Sequence, residues 1–196
     1  MNFLAHFLLG SQKEEYILGN FLGDFVKGHD YEKYNFEVKK GILMHREIDS
    51  FADTHPDFIK TKRVIFHRYR HYAGVIVDVY YDFFLSKNWE KYSDIPLETF
   101  IANTYDVLSK YETVMPFSAQ VAFKYMQQGD WLTRYTNYDG VSRTFLAMSK
   151  HIKRKSGMET AIEELLLFEK AFDEDFQRFF PAIQNKIKEW SEAYNR

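Results

Sequence analysis

The chain has 196 residues, 45% hydrophobic and 18% aromatic, which is enough apolar surface for one self-sufficient core. Its 26 Lys and Arg against 28 Asp and Glu give a formal net charge of −2, so nothing in the balance draws it to nucleic acid or an anionic membrane. The lack of cysteine excludes disulfides, thiolate metal sites and Cys nucleophiles; any metal must be held by imidazole and carboxylate, a donor set suited to Mn, Mg, Fe or Zn.

Met1 to Leu9 is apolar, but it has no basic leader region and carries His6 near its middle. Apolar runs such as Tyr72 to Val77 fall far short of the roughly 20 residues that span a bilayer. A cytoplasmic address without membrane contact is expected. Apolar residues then recur at three- and four-residue steps, predicting helices over roughly 2–9, 13–27, 35–54, 57–67, 69–87, 96–110, 116–128, 139–153, 158–179 and 182–194. Gly28 is expected to end the second helix in a left-handed cap, and His55-Pro56 to part the third from the fourth. Pro96, Pro116 and Pro181 are expected in first helical turns. No repeat, low-complexity stretch or linker divides the chain. The expected fold is all-α, a single compact domain over 1–196 with about nine or ten helices.

The chemistry is suggested by polar residues that fall on apolar stripes. In the third helix the core-facing series is Val38, Ile42, His45, Asp49 and Ala52, and His45 and Asp49 stand one turn apart on one face. The fifth helix carries Asp78 and Asp82 at the same spacing, with no Lys or Arg between His71 and Leu85. Two buried aspartates repel each other and lose hydration, at a cost of several kcal/mol each unless a divalent cation or His and Arg partners compensate. His6 and Asp24 are further ionisable groups set among core-type residues, and Gly19 and Gly23, four apart, would let another backbone approach the second helix closely. Each has a plainer alternative: His6 as a satisfied core histidine, Asp24 as a helix-end carboxylate, His45 with Asp49 as an ordinary i,i+4 pair. Gathered around a cation, the six would support metal-assisted hydrolysis. Arg46 and Arg70, each beside a histidine, are candidates to hold a phosphate, or else extend to solvent. The literal His29-Asp30 dipeptide follows Gly28 in an expected loop and is read as solvent-facing.

Several blocks together resemble the acyl carrier protein phosphodiesterase family: Met1 to His6, Gly19 to Gly28, Gly41 to Asp49, Asp78 to Ser86 with Trp89, and more loosely Trp131 to Tyr135. The resemblance implies an HD-domain-like helical bundle and manganese-dependent hydrolysis. The family removes the 4′-phosphopantetheine arm from the serine of holo acyl carrier protein. It further implies His6, Asp24, His45, Asp49, Asp78 and Asp82 as metal-site candidates, with Arg46 as a phosphate contact and Asp53 as a base or outer-shell group. The implied partner is a small acidic protein. Lys150 to Lys155, with Lys153, Arg154 and Lys155 as its centre, and Lys60 to Arg70 are candidate docking stretches, or else solvated helix ends. Two other readings remain at this point: an HD-type hydrolase of nucleotides or other small phosphoesters, and a non-catalytic helical binding module.

Overall fold

A helix that is apolar on every side must be surrounded, and α5 (Ala73–Lys87) is. In the computed structural model, which describes residues 1–10, 12–152 and 155–194, Ile76, Val77, Val79, Tyr80, Tyr81, Phe84 and Leu85 are fully enclosed. Around α5 pack α1 (Phe3–Leu9), α4 (Pro56–Tyr69), α9 (Tyr138–Lys150) and α10 (Ile162–Tyr194). The remaining helices are α2 (Glu14–Leu22), α3 (Phe36–Thr54), α6 (Leu97–Lys110), α7 (Phe117–Gln128) and α8 (Trp131–Arg134). The described residues contain no strand. The all-α domain expected from the periodicity is what forms.

The pair α2 and α3 sits backbone against backbone. A Cβ on Gly19 would lie 2.1 Å from the carbonyl oxygen of Val38, and one on Gly41 would lie 2.4 Å from that of Tyr16. Only glycine fits at either point, and this close crossing brings α3 up to the site. Asn35 starts α3 by accepting from the Val38 amide at 3.0 Å, and Asn137 starts α9 through the Gly140 amide at 2.9 Å.

The seven residues of α1 are too few to hold a helix alone in water. Its first turn is fixed from outside: Asn2 accepts from the Phe3 amide at 2.9 Å, and Asp82 of α5 accepts from the amides of Leu4 at 2.8 Å and Ala5 at 3.2 Å.

Four features differ from the sequence expectations. Helix α2 stops at Leu22, not 27, because the amides of Phe25 and Val26 both turn back to the Leu22 carbonyl. Gly28 does take a left-handed conformation (φ 51°), but in the loop beyond. The short α8 was not foreseen; it follows Asp130 in a left-handed conformation, φ 44°. Pro181 interrupts nothing, since Phe179, Phe180, Ile183 and Ile187 form a continuous buried stripe that carries α10 past it. The break lies instead at Phe168, at φ −113° and ψ 15°. No helix among the described residues is long and apolar enough to cross a membrane.

Replacing Asp82 with alanine strands two buried amides and releases α1. Urea unfolding of Asp82→Ala is expected to show a loss of about 2–5 kcal/mol. A loss under about 1 kcal/mol would mean that Asp82 does not anchor that helix.

Candidate metal and active site

Three side chains from two helices converge. His6 projects from α1, and His45 and Asp49 lie one turn apart on α3. The two imidazoles stack with ring centres 3.9 Å apart and planes at 15°. The His45 ring lies flush against Gly23, where a Cβ would come within 2.2 Å of its Cγ. Its Nδ1 is 2.9 Å from the carbonyl oxygen of Asn20. A carbonyl only accepts, so Nδ1 carries the hydrogen, and Nε2 turns to Asp49 Oδ2 at 3.2 Å and Asp24 Oδ1 at 3.4 Å. His6 Nε2 faces Asp49 Oδ1 at 3.2 Å and the Met1 carbonyl at 3.0 Å, while its buried Nδ1 has no hydrogen-bond partner.

A carboxylate cannot rest beside an imidazole lone pair without positive charge between them. Either a proton on Nε2 or a cation must supply it. One donor atom from each of His6, His45 and Asp49 lies within 4.8 Å of the others, so one ion can reach all three. The hydrogen bond from His45 Nδ1 to a backbone carbonyl is also how metal-bound imidazoles are oriented. The donor set fits a divalent ion.

Behind Asp49 the two histidines are buried, and Asp49 itself opens into a cleft of about 390 Å³ whose walls also include Asp24, Asp53 and Asp78. No Lys or Arg side chain is among the residues lining it. The one cation present is the α-ammonium of Met1, 3.0 Å from Asp78 and 3.2 Å from Asp49. The carboxylates therefore already hold a positive group. Asp82 is fully enclosed, its two oxygens taken by the amides of α1. The compensation that the sequence assigned to a cation or to His and Arg side chains is thus divided: backbone amides meet Asp82, and an ammonium meets Asp78.

The titration of these groups follows from the packing. Burial and the neighbouring charge of His45 bring His6 down to about 4. Burial would also depress His45, but hydrogen bonds to Asp24 and Asp49 outweigh it and raise the ring to about 9. The same contacts overcome burial at Asp49 and Asp24, holding both below the usual carboxylate range. Burial pushes Asp82 up to about 8 against the pull of its two amides, and raises Asp78 against the pull of the Met1 ammonium. Burial opposes the Met1 ammonium as well, but Asp78 and Asp49 prevail and lift it to about 11.

Other candidates lie elsewhere. Arg46 donates to the carbonyls of Gly28 and Val26, both at 2.8 Å, and lies over the ring of Tyr31; its guanidinium holds the loop after α2 and does not line the cleft. Arg70 sits beyond the end of α4 at φ 50°, exposed, over the ring of Phe66. His29 and Asp30 are exposed, as expected. In the Lys60 to Arg70 stretch, Lys60 pairs with Asp175 and Arg68 with Glu163 and Glu164 of α10. Lys155 is exposed, and Lys153 and Arg154 lie outside the described residues. Asn20 was not singled out. It is buried on apolar α2, donates to the His6 carbonyl at 2.6 Å and offers its own carbonyl to His45, so it fixes both histidines. The same mismatch of a polar residue on an apolar helix would have marked it.

The sequence model of the acyl carrier protein phosphodiesterase family matches residues 1–183. The chain belongs to this family. Among curated relatives, the acyl carrier protein phosphodiesterase of Photorhabdus laumondii is 30% identical over 189 residues, 96% of both chains. That of Yersinia enterocolitica is 30% identical over 191 residues, 96% of this chain and 98% of the relative. That of Salmonella dublin is 31% identical over 187 residues, 93% and 95%. No solved structure matches the chain.

The raised His45 gives a signed pH dependence for this family member when no metal is bound. An imidazole near 9 in the folded state and near 6.5 when unfolded contributes stability that is complete below pH 6.5 and lost as pH rises through 9. With metal chelated, His45→Gln should therefore be less stable than the parent at pH 6, by on the order of 1–3 kcal/mol, with the gap closing toward pH 9.5. A gap that is constant with pH in chemical denaturation would contradict a charged His45 between Asp24 and Asp49.

Proposed function

We propose that the chain hydrolyses the phosphodiester joining 4′-phosphopantetheine to the serine of holo acyl carrier protein, using a divalent ion held by His6, His45 and Asp49. The observation that carries the metal requirement is the charge of the cleft. Its walls bear four carboxylates and no Lys or Arg side chain, and a phosphodiester is an anion. Left as it stands, such a surface repels the substrate that the family acts on.

Bound there, a divalent ion, manganese by the family resemblance, supplies positive charge to a phosphoryl oxygen and makes water more acidic. The chain supplies the rest. Asn20 fixes the His45 tautomer so that Nε2 faces the cleft side of the ring, toward Asp24 and Asp49. Asp82 holds α1 in register, and with it His6. Asp24 and Asp53, both exposed and on the cleft wall, are placed to take the proton of an attacking water. The water oxygen bonds to phosphorus, the bond from phosphorus to the serine oxygen breaks, and that oxygen takes up a proton. The products are apo carrier protein and phosphopantetheine.

Incubation with holo acyl carrier protein and Mn²⁺ should shift the carrier's mass down by the phosphopantetheine group. Chelator should abolish the shift, and added Mn²⁺ restore it. His45→Ala and Asp49→Ala should each lower kcat/KM by at least about 100-fold. Undiminished activity in chelator would remove the metal from the proposal, and no mass shift with several carriers and metals would remove the substrate.

A further inference from the structure

Beside the acidic cleft runs a second depression of about 380 Å³, and the two share Asn2, Phe3 and Met148 as common wall. The character changes abruptly across that wall. Where the cleft is lined by carboxylates, the groove is lined by the rings of Phe3, Trp131 and Tyr135 and the thioether of Met148, with no acidic residue among its lining residues. Phe3 and Trp131 lie with ring centres 6.3 Å apart. The groove also presents polar donors, the amides of Asn2 and Gln128 and the guanidinium of Arg134. Arg134 is half-buried, yet it forms no ion pair with any described carboxylate. A half-buried arginine with no described carboxylate as its partner, sharing a groove with Trp131 and Tyr135, suits an acceptor-rich ligand.

We propose that this groove is the binding site for the pantetheine arm of the substrate, laid from the phosphate in the acidic cleft across Phe3 and Met148 toward Trp131 and Arg134. The assignment rests on the phosphodiesterase reading for its choice of ligand. The chemistry of the arm matches the change in the walls. After the phosphate come a methylene, a quaternary carbon with two methyls and a carbon bearing a hydroxyl, then two amides each followed by a methylene pair, ending in a thiol. The methyls and methylenes suit an aromatic and thioether floor, and the amide carbonyls and the hydroxyl offer acceptors to Asn2, Gln128 and Arg134. The arm carries no charge beyond its phosphate, which suits a groove without carboxylates. The volume lies in the range that binds ligands of this size. Continuity with the cleft supplies the direction: a phosphate held at the carboxylate end leaves the arm only this neighbouring apolar path among the two depressions that meet at Phe3.

The test uses pantetheine itself, which has no phosphate to cleave and so separates the groove from the reaction. Titration of the full chain with pantetheine, followed by calorimetry and by tryptophan fluorescence, should show saturable one-to-one binding. Fluorescence reports the groove because Trp89 is buried away from it and Trp190 stacks on Tyr194, leaving Trp131 in contact with the ligand. Trp131→Ala should weaken binding by at least about tenfold. Ala147→Trp, which fills the groove from a half-exposed position on α9, should do the same while leaving the melting temperature close to that of the parent, and it decides the matter if Trp131→Ala folds poorly. Absence of saturable pantetheine binding, or wild-type affinity in Ala147→Trp, overturns the assignment. Pantetheine binding that Ala147→Trp blocks, in a protein that does not cleave holo carrier protein, would support the groove and count against the phosphodiesterase reading.

Discussion

Four carboxylates open into one cleft with no lysine or arginine on its walls, and the surrounding structure is organised by that concentration of negative charge. A domain of this size is stable by a margin on the order of 10 kcal/mol, which a few uncompensated half-buried charges would consume. The compensation comes from two sides, His45 of α3 and the start of the chain. Helix α1 presents its first amides to Asp82 and the Met1 ammonium to Asp49 and Asp78, and it carries His6 against His45. The shortest helix of the early chain therefore helps neutralise the centre and sets His6 against it. Its position depends on α5, whose apolar surface is buried except near Val75 at the cleft and which turns Asp82 to the first amides of α1 and Asp78 to the Met1 ammonium.

The histidine pair shows how the packing divides charge within the centre. Two stacked imidazoles 3.9 Å apart cannot both carry charge at modest cost, and the surroundings resolve the conflict. His45 has two carboxylates at its Nε2 and stays charged; His6 has a carbonyl and one shared carboxylate, and stays neutral. A divalent ion in place of the proton on His45 would satisfy the same carboxylates and also draw on His6. Under the proposed function, exchanging a proton for a metal in this way would change an electrostatically closed cluster into one that can accept a phosphate. On the proposed assignment, the apolar groove beyond Phe3 would take that phosphate's uncharged substituent.

Much of this was legible in the sequence because it depends on local period. The stripe of α3 with His45 and Asp49, and the all-round apolar surface of α5 with its two aspartates, follow from counting residues around a helix. The close approach at Gly19 and Gly23 follows from missing side chains, although the partner is backbone in one case and the His45 ring in the other. The rest depends on contacts between distant segments. Nothing local to Asp82 tells that its partners are amides 77 and 78 residues away. Arg46 adjoins His45 in sequence, but a helix turns about 100° per residue, and its guanidinium swings to the loop carbonyls of Val26 and Gly28. Pro181 reads as a boundary by itself and is overridden by a buried aromatic stripe on both sides of it. The short α8 depends on Asp130 accepting a left-handed conformation, which neither period nor composition announces.

The central claim is that His6, His45 and Asp49 form a divalent metal site, and it is tested most directly by anomalous X-ray scattering from crystals grown with Mn²⁺. The account predicts a single strong manganese peak about 2–2.3 Å from a ring nitrogen of His6, His45 Nε2 and an Asp49 oxygen, with Asp82 still bonded to the amides of α1. A structure at saturating Mn²⁺ with no peak there, and with His45 still paired directly to Asp24 and Asp49, would contradict it.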